Sequence, residues 1–190
     1  MKVNILLSTY NGEQYLEEQV KSIQEQTYQE WELLIRDDGS SDGTVELIKQ
    51  LATRDSRIHF INENHIENVG VIKSFYALLK HGEADLYCFS DQDDFWLPEK
   101  ISLQVTEAKK YSQDKPLLIY TDLKVVDENL SVLHDSMIRT QSDHANTELI
   151  QELTENTVTG GVAMINHALA ELWTGEEKYD LLMHDWYLGL

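Results

Sequence analysis

The sequence predicts an α/β fold: a mostly parallel, Rossmann-like sheet flanked by helices on both faces. Three observations predict it. Short apolar runs of strand length alternate with stretches of helical periodicity from Val3 to about Tyr120. Polar clusters follow three of the apolar runs directly, at Ser8–Gly12, Asp37–Thr44 and Asp91–Asp94. No repeat, low-complexity stretch or linker interrupts the 190 residues, so one domain with a substantial core is expected.

The elements follow in order. Val3 to Leu7 reads as a buried strand, and Glu13 to Gln26 as a helix with Tyr15, Leu16, Val20 and Ile23 on its apolar side. Trp31 to Ile35 is a second strand. Ser41-Asp42-Gly43-Thr44 starts a helix to about Ala52, with Val45, Leu47, Ile48 and Leu51 apolar. Ile58 to Ile61 is a third strand, and Val71 to Leu79 a helix after the Asn68-Val69-Gly70 loop. Leu86 to Phe89 is a fourth strand that runs straight into the acidic cluster. Pro98 stands where a first-turn proline belongs and opens a helix to about Tyr111; Leu117 to Tyr120 is another strand. Beyond residue 121 the pattern changes. A hairpin is expected over Leu123–Val126 and Ser131–His134, a helix around Thr147–Leu153, a buried strand at Val162–Ile165 and a helix at His167–Trp173. The chain thus reads as one domain with an α/β half, 1–121, and an α+β half, 122–190.

Fifteen basic residues against 34 acidic ones give a formal charge of −19. Such a surface repels phosphate backbones, which argues against nucleic acid as a partner. It leaves room for a nucleotide, because a bound divalent cation inverts the local field. One cysteine, Cys88, excludes a disulfide framework and reads as a small buried hydrophobe in a reducing compartment. The N-terminal apolar run is too short for a signal peptide or a membrane span, so a soluble, cytoplasmic chain is expected.

In an open α/β sheet, ligands bind beyond the carboxyl ends of the strands, where the three polar clusters fall. Asp91, Asp93 and Asp94 crowd the end of a buried strand. Carboxylates so placed repel one another unless a cation sits among them, and oxygen-only ligands suit Mg²⁺ or Mn²⁺ together with phosphate oxygens. The competing reading is a solvated turn with helix-capping aspartates. Asp37 and Asp38 allow the same two readings: turn and N-cap chemistry, or a carboxylate that accepts a hydrogen bond from a base imide or a ribose hydroxyl. Asp185, between His184 and Trp186, reads as a helix cap or a partly buried base. A Walker loop, a G-x-G-x-x-G fingerprint, a nucleophile elbow and a His-Glu-x-x-His helix are all missing from the sequence, and seven scattered histidines give no support for zinc.

Taken together, these segments resemble the inverting family 2 glycosyltransferases, which have the GT-A fold. The resemblance is carried by Ser8-Thr9-Tyr10-Asn11-Gly12, by Ile35 through Thr44, by Ser90-Asp91-Gln92-Asp93-Asp94, by Thr159-Gly160-Gly161 and by His184-Asp185, in that order. The Asp-Gln-Asp-Asp-Phe-Trp variant is similar to that of bacterial rhamnosyltransferases and other surface-polysaccharide enzymes. The resemblance implies a dTDP-rhamnose or UDP-sugar donor, a saccharide or lipid-linked saccharide acceptor, and Mg²⁺ or Mn²⁺.

It also implies roles. Thr9 and Tyr10 line the nucleotide pocket, Asp38 binds the pyrimidine imide and Asp37 supports it. Asn68, Gly70 and Lys73 lie near the nucleotide, with Lys73 beside the diphosphate. Asp93 is the principal metal ligand, Asp91 contacts metal or ribose, and Gln92 belongs to the same donor site. Thr159, Gly160, Gly161, His184 and Trp186 form the sugar and acceptor pocket, and Asp185 is the catalytic base. Asp94 is expected to cap the helix near Pro98.

The family usually continues past the point where this chain ends, with helices that complete the acceptor side and can touch membrane. A C-terminally trimmed chain with peripheral membrane association is therefore expected. Three other readings compete. A non-catalytic sugar-nucleotide-binding module or inactive fragment shares every binding motif. A nucleotidyltransferase needs a glycine-rich basic loop after the first strand, and Ser8–Gly12 has one glycine and no basic residue. A phospho-receiver domain leaves the Thr159 and Asp185 segments unexplained.

Overall fold

The computed structural model describes residues 1–141, 145 and 158–175. Strands β1 (Val3–Thr9), β2 (Trp31–Asp37), β3 (Ile58–Phe60) and β4 (Leu86–Ser90) alternate with helices α1 (Leu16–Gln24), α2 (Thr44–Arg54) and α3 (Val71–His81). Helix α4 (Lys100–Ala108) and strand β5 (Leu118–Tyr120) follow. Then come the hairpin β6 (Val125–Val126) and β7 (Val132–His134), a short helix α5 (Ile138–Gln141), a 3₁₀ turn at Gly160–Val162, β8 (Ala163–Asn166) and α6 (His167–Gly175).

The main sheet has the order β3-β2-β1-β4-β8-β5. Its first four strands are parallel, and β8 runs antiparallel to both β4 and β5. Strand β1 is therefore central. Val3 to Thr9 pairs residue for residue with Trp31 to Asp37 on one side, and Val3 to Leu7 with Leu86 to Ser90 on the other. A strand covered on both faces is apolar throughout rather than alternating, which is why Val-Asn-Ile-Leu-Leu reads as a continuous run. Side chains still alternate. Ile5, Leu7, Leu33, Ile35 and Cys88 face Leu16, Val20, Ile48, Ile101 and Val105 of α1, α2 and α4. Leu6, Leu34, Tyr87 and Phe89 face Phe75 and Leu78 of α3 and Ala170 and Trp173 of α6. Cys88 is fully buried as expected, and burial pushes its thiol up to about 11.

The chain builds outward from β1 through β2 to β3, then crosses to the other side of β1 to make β4. The carboxyl ends of β1 and β4 thus flank the point where strand order reverses. The loops that leave those ends, together with the one after β2, open a crevice there, the usual ligand position in such sheets.

Several boundaries differ from expectation for local reasons. Helix α1 begins at Leu16, because Gly12 O accepts both the Tyr15 and Leu16 N–H groups in a preceding turn. Helix α2 begins at Thr44, whose N–H donates to Asp42 Oδ1 at 3.0 Å. Helix α4 begins at Lys100; Pro98 lies in the turn before it, closed by Lys100 N–H donating to Leu97 O. The helix expected around Thr147–Leu153 lies outside the described residues. The central strand makes a direct test. Ile5→Ala, at 0% exposure, is expected to cost about 2–5 kcal/mol in denaturant melts. Leu103→Ala, at 64% exposure on α4, is expected to cost less than about 0.5 kcal/mol.

Candidate active site

One cleft of about 240 Å³ opens at the reversal point, and all three polar clusters contribute to it. Ser8, Thr9 and Tyr10 come from the end of β1, Asp38 from the end of β2, and Asp91, Gln92 and Asp93 from the end of β4, with Val71 at the mouth of α3.

The loops are cross-bonded. Gln92 Oε1 accepts from the Thr9 hydroxyl at 2.6 Å and from the Tyr10 N–H at 2.9 Å, which fastens the β4 loop to the β1 loop. Asn11 N–H donates to Ser40 Oγ, and Asn11 Oδ1 accepts from Ser41 N–H, both at 2.8 Å. Gly12 N–H donates to Thr44 Oγ1, and Gly43 N–H donates to the Glu13 carboxylate. Asp37 is wholly buried and folds its own loop, accepting from the Gly39 and Ser40 N–H groups and the Ser40 hydroxyl.

Asp38 carries most of the remaining connection. Its Oδ1 accepts from Arg36 at 2.8 Å, from Val69 N–H at 2.7 Å and from Ser74 Oγ at 3.1 Å, while Oδ2 accepts from Gly70 N–H at 3.0 Å. Gly70 has φ +86°, a left-handed conformation that aims its N–H at the carboxylate as α3 starts. A carboxylate offers about four lone-pair sites, two on each oxygen. Oδ2 therefore keeps capacity for one further donor beside the cleft.

The segment that follows the acidic run is held from behind by α1 and the turn after it. Trp96 N–H donates to Ser22 Oγ at 3.0 Å, Gln26 Nε2 donates to Leu97 O at 2.8 Å, and Ile101 N–H donates to Gln26 Oε1 at 3.1 Å. In front, Gly161 lies against the carboxylates. A Cβ added there would overlap Asp94 Oδ2 and stand 2.9 Å from Asp91 Oδ2. Asp94 does not cap α4, contrary to expectation, for no side chain caps that helix. It points instead to the Gly161 contact it shares with Asp91. Burial, then the neighbouring Asp93 charge, push the Asp94 carboxyl up to about 6, against the opposing pull of the Lys100 ammonium.

Among the described residues no three metal-ligating side chains converge. A magnesium or manganese ion held by one or two carboxylates plus substrate phosphates needs no third. The hard oxygen donors of Asp91 and Asp93 on one cleft wall fit such an ion.

The structure therefore brings together Thr9, Tyr10, Asp38, Asp91, Gln92 and Asp93, with Gly161 touching the acidic run. Gly160 is buried in the same 3₁₀ turn, which Thr159 precedes. Asn68 packs its backbone against Gly39, and Lys73 is exposed in the first turn of α3; neither lines the cleft. His184, Asp185 and Trp186 lie outside the described residues. The sequence does not announce Arg36, Ser74 or the buried row Gln19-Ser22-Gln26 along α1 and the turn after it. These buried polar side chains join local bonds, Arg36 to Asp38 and Gln26 to Ser22, with distant ones, Arg36 to Ser74, Gln19 to Ser90 and Gln26 to Leu97; the i, i+3, i+7 spacing on an apolar helix side is the only sign of them in the sequence.

Comparison with known proteins agrees with this geometry. Residues 4–171 match the family described as glycosyl transferase family 2. The dTDP-rhamnosyl transferase RfbG of Shigella flexneri is 39% identical over 98 residues, 50% of this chain and 34% of that protein. Among solved structures, S. aureus TarS in complex with UDP-GlcNAc superposes with a TM-score of 0.75 at 19% identity, over 100% of this chain and 52% of that one. The mannosyltransferase PcManGT from Pyrobaculum calidifontis, in complex with GDP-Man and Mn²⁺, superposes at 0.66 and 17% identity, over 98% of this chain and 50% of that one. The chain spans less than half the length of the curated relatives it matches.

Asp94 makes a pH prediction. Its folded pKa, about 6, lies above the ordinary 3.8. Above about pH 6 the folded state bears the full cost of the charged, buried carboxylate. As pH falls from about 6 to about 4 the folded chain takes up a proton that the unfolded chain does not, so this contribution to stability rises. Asp55 works in the opposite sense and at lower pH, because Arg57 holds it below the ordinary carboxylate range. Denaturant melts in EDTA are expected to show Asp94→Asn more stable at about pH 7.5 by about 1–2 kcal/mol after screening. The variant should also lose the rise between about pH 6 and 4; a rise that survives the substitution belongs to another group.

Proposed function

The chain belongs to glycosyl transferase family 2, and from that premise we propose that it catalyses metal-assisted, inverting sugar transfer in cell-surface polysaccharide synthesis. The donor is a nucleoside diphosphate sugar, and the acceptor is a hydroxyl of a saccharide or lipid-linked saccharide. One observation carries the reading: a cleft at the strand-order reversal with a pinned carboxylate on one side and an acidic run on the other. That spacing of tasks suits a base at one end and a diphosphate at the other.

Asp38 is the residue for the base. Its remaining Oδ2 capacity accepts a ring N–H, such as a pyrimidine imide, while Arg36, Ser74 and two backbone N–H groups keep it fixed. Thr9 and Tyr10 form the floor and wall between base and diphosphate, held by Gln92. Asp93 and Asp91 would hold Mg²⁺ or Mn²⁺. That ion supplies charge stabilisation on the departing diphosphate. Gly161 backs Asp91 and Asp94 directly, a close approach that any side chain would break.

The reaction is a single in-line displacement at the anomeric carbon. The bond from that carbon to the diphosphate oxygen breaks as the acceptor oxygen attacks from the opposite face, and the hydroxyl proton passes to a base. Asp185 is that base, supported by its place in the motif order, where proton acceptance is worth about 10²–10⁴-fold. No carboxylate nucleophile is required, unlike in a retaining glycosidase. RfbG favours dTDP-rhamnose as donor, and TarS makes a UDP-sugar the rival. Residues 122–190 supply the acceptor side, and peripheral membrane association follows from a lipid-linked acceptor.

A panel of nucleotide sugars tests this, read by metal-dependent thermal stabilisation and by donor hydrolysis. dTDP-rhamnose is expected to give the largest shift; a shift with a UDP-hexose alone would sink the rhamnosyl assignment. Asp185→Asn is expected to bind donor normally and lose transfer by about 10²-fold or more. Full transfer in that variant would remove Asp185 as base, and binding without turnover in the intact protein would mark a binding module.

A further inference from the structure

Gln104 joins two segments that the site needs. It is 1% exposed on the inner side of α4. Its Nε2 donates at 2.9 Å to the carbonyl of Val162, the last residue of the 3₁₀ turn that contains Gly161. Its Oε1 accepts at 3.2 Å from Lys100 Nζ, one helical turn earlier. The Lys100 ammonium stands 4.4 Å over the Trp96 ring, directly behind the acidic run, where its charge acts on Asp94. Gly161 in turn presses on the carboxylates of Asp91 and Asp94. The contacts close a ring that runs from the acidic run through Trp96, Lys100, Gln104 and the Gly160–Val162 turn back to the acidic run. Neither Lys100 nor Gln104 lines the cleft.

We propose that Lys100 and Gln104 are positioning residues, which hold the Gly160–Val162 turn against Asp91 and Asp94 and so set the carboxylate spacing available to a divalent cation and diphosphate. The physical reason is the close approach at Gly161. A turn that drifts outward by a fraction of an ångström frees Asp91, the proposed ligand it touches, to shift away from its place beside Asp93, and a cation site tolerates only about 0.5 Å of such error. Gln104 fixes the turn through its one amide bond to Val162 O. Lys100 fixes the amide's orientation, because an ammonium only donates and must face Oε1. The pair also places one positive charge behind three aspartates without filling the metal position.

This inference rests on the donor-site reading above, and the experiment separates the two. UDP and dTDP are titrated calorimetrically with Mn²⁺ and with EDTA, and amide exchange is followed over residues 158–163. Gln104→Met keeps volume and loses both hydrogen bonds. It is expected to exchange faster at Gly160–Val162 and to bind the Mn²⁺–nucleotide pair about tenfold more weakly, with binding in EDTA changed less than about twofold. Lys100→Met is expected to act in the same direction, and Lys100→Arg, which still donates to Oε1, to recover most of the loss. The Lys100 variants decide the matter if Gln104→Met does not fold. Unchanged Mn²⁺-dependent binding would overturn the proposal. So would equal losses with Mn²⁺ and EDTA alongside a lowered melting temperature, the mark of a general structural role. If the unsubstituted chain binds nucleotide no better with Mn²⁺, the donor-site reading falls. The link between Gln104 and the turn then stands or falls on the exchange rates alone.

Discussion

Arg36 and Asp38 meet at 2.8 Å with side chains 6% and 8% exposed. Burying two charges costs several kcal/mol per ion, which the pair recovers only when the remaining donors and acceptors are also satisfied. Here they are. Arg36 also donates to Ser74 Oγ and Glu67 O, and Asp38 also accepts from Ser74 Oγ and the N–H groups of Val69 and Gly70. One ion pair thereby ties the end of β2, the loop before α3 and the first turn of α3 into a single unit. Asp38 N–H donates to Thr9 O, so the end of β1 joins the same unit. Removing either charge would strand the other in the interior, so this corner is held rigidly before any ligand arrives.

The aspartates of the cleft divide by how well they are satisfied. Asp37, Asp38 and Asp42 accept several hydrogen bonds each and shape loops. The acidic run is different: Asp93 is exposed to the cleft, and Asp94 is raised by burial and by its neighbour's charge. An enzyme with separate tasks for base recognition and diphosphate departure needs this contrast. One carboxylate is fixed as an acceptor, and others keep coordination capacity. The formal charge of −19 sharpens the point, because a phosphorylated ligand approaches such a chain most readily with its own cation.

Much of this was legible in the sequence because it is local. The apolar runs at Val3–Leu7 and Leu86–Phe89 could only be buried parallel strands, and the polar clusters after them had to lie on one sheet edge. The order of Thr9, Asp38 and Asp91–Asp93 along the chain became one cleft, because β1 lies between β2 and β4. What escaped depends on distant partners. No spacing rule connects Gln26 to Leu97, Arg36 to Ser74 or Gln104 to Val162. The insertion of β8 antiparallel between β4 and β5 was equally hidden, since a four-residue apolar strand carries no sign of its direction. Asp94 was misread for a related reason. Its position before Pro98 looks like capping, and only the return of Gly161 from 67 residues later in the chain gives it another neighbour.

On the proposed function, the acidic run and the Asp38 corner form one nucleoside-diphosphate site that depends on a divalent cation. Titration calorimetry with UDP and dTDP, in Mn²⁺ and in EDTA, tests it most directly when run beside Asp93→Ala. The account predicts binding that strengthens by at least about tenfold with Mn²⁺, and a variant that keeps the weak EDTA binding and loses the gain. Equal affinity in Mn²⁺ and EDTA, or a variant that keeps the full Mn²⁺ effect, would contradict it.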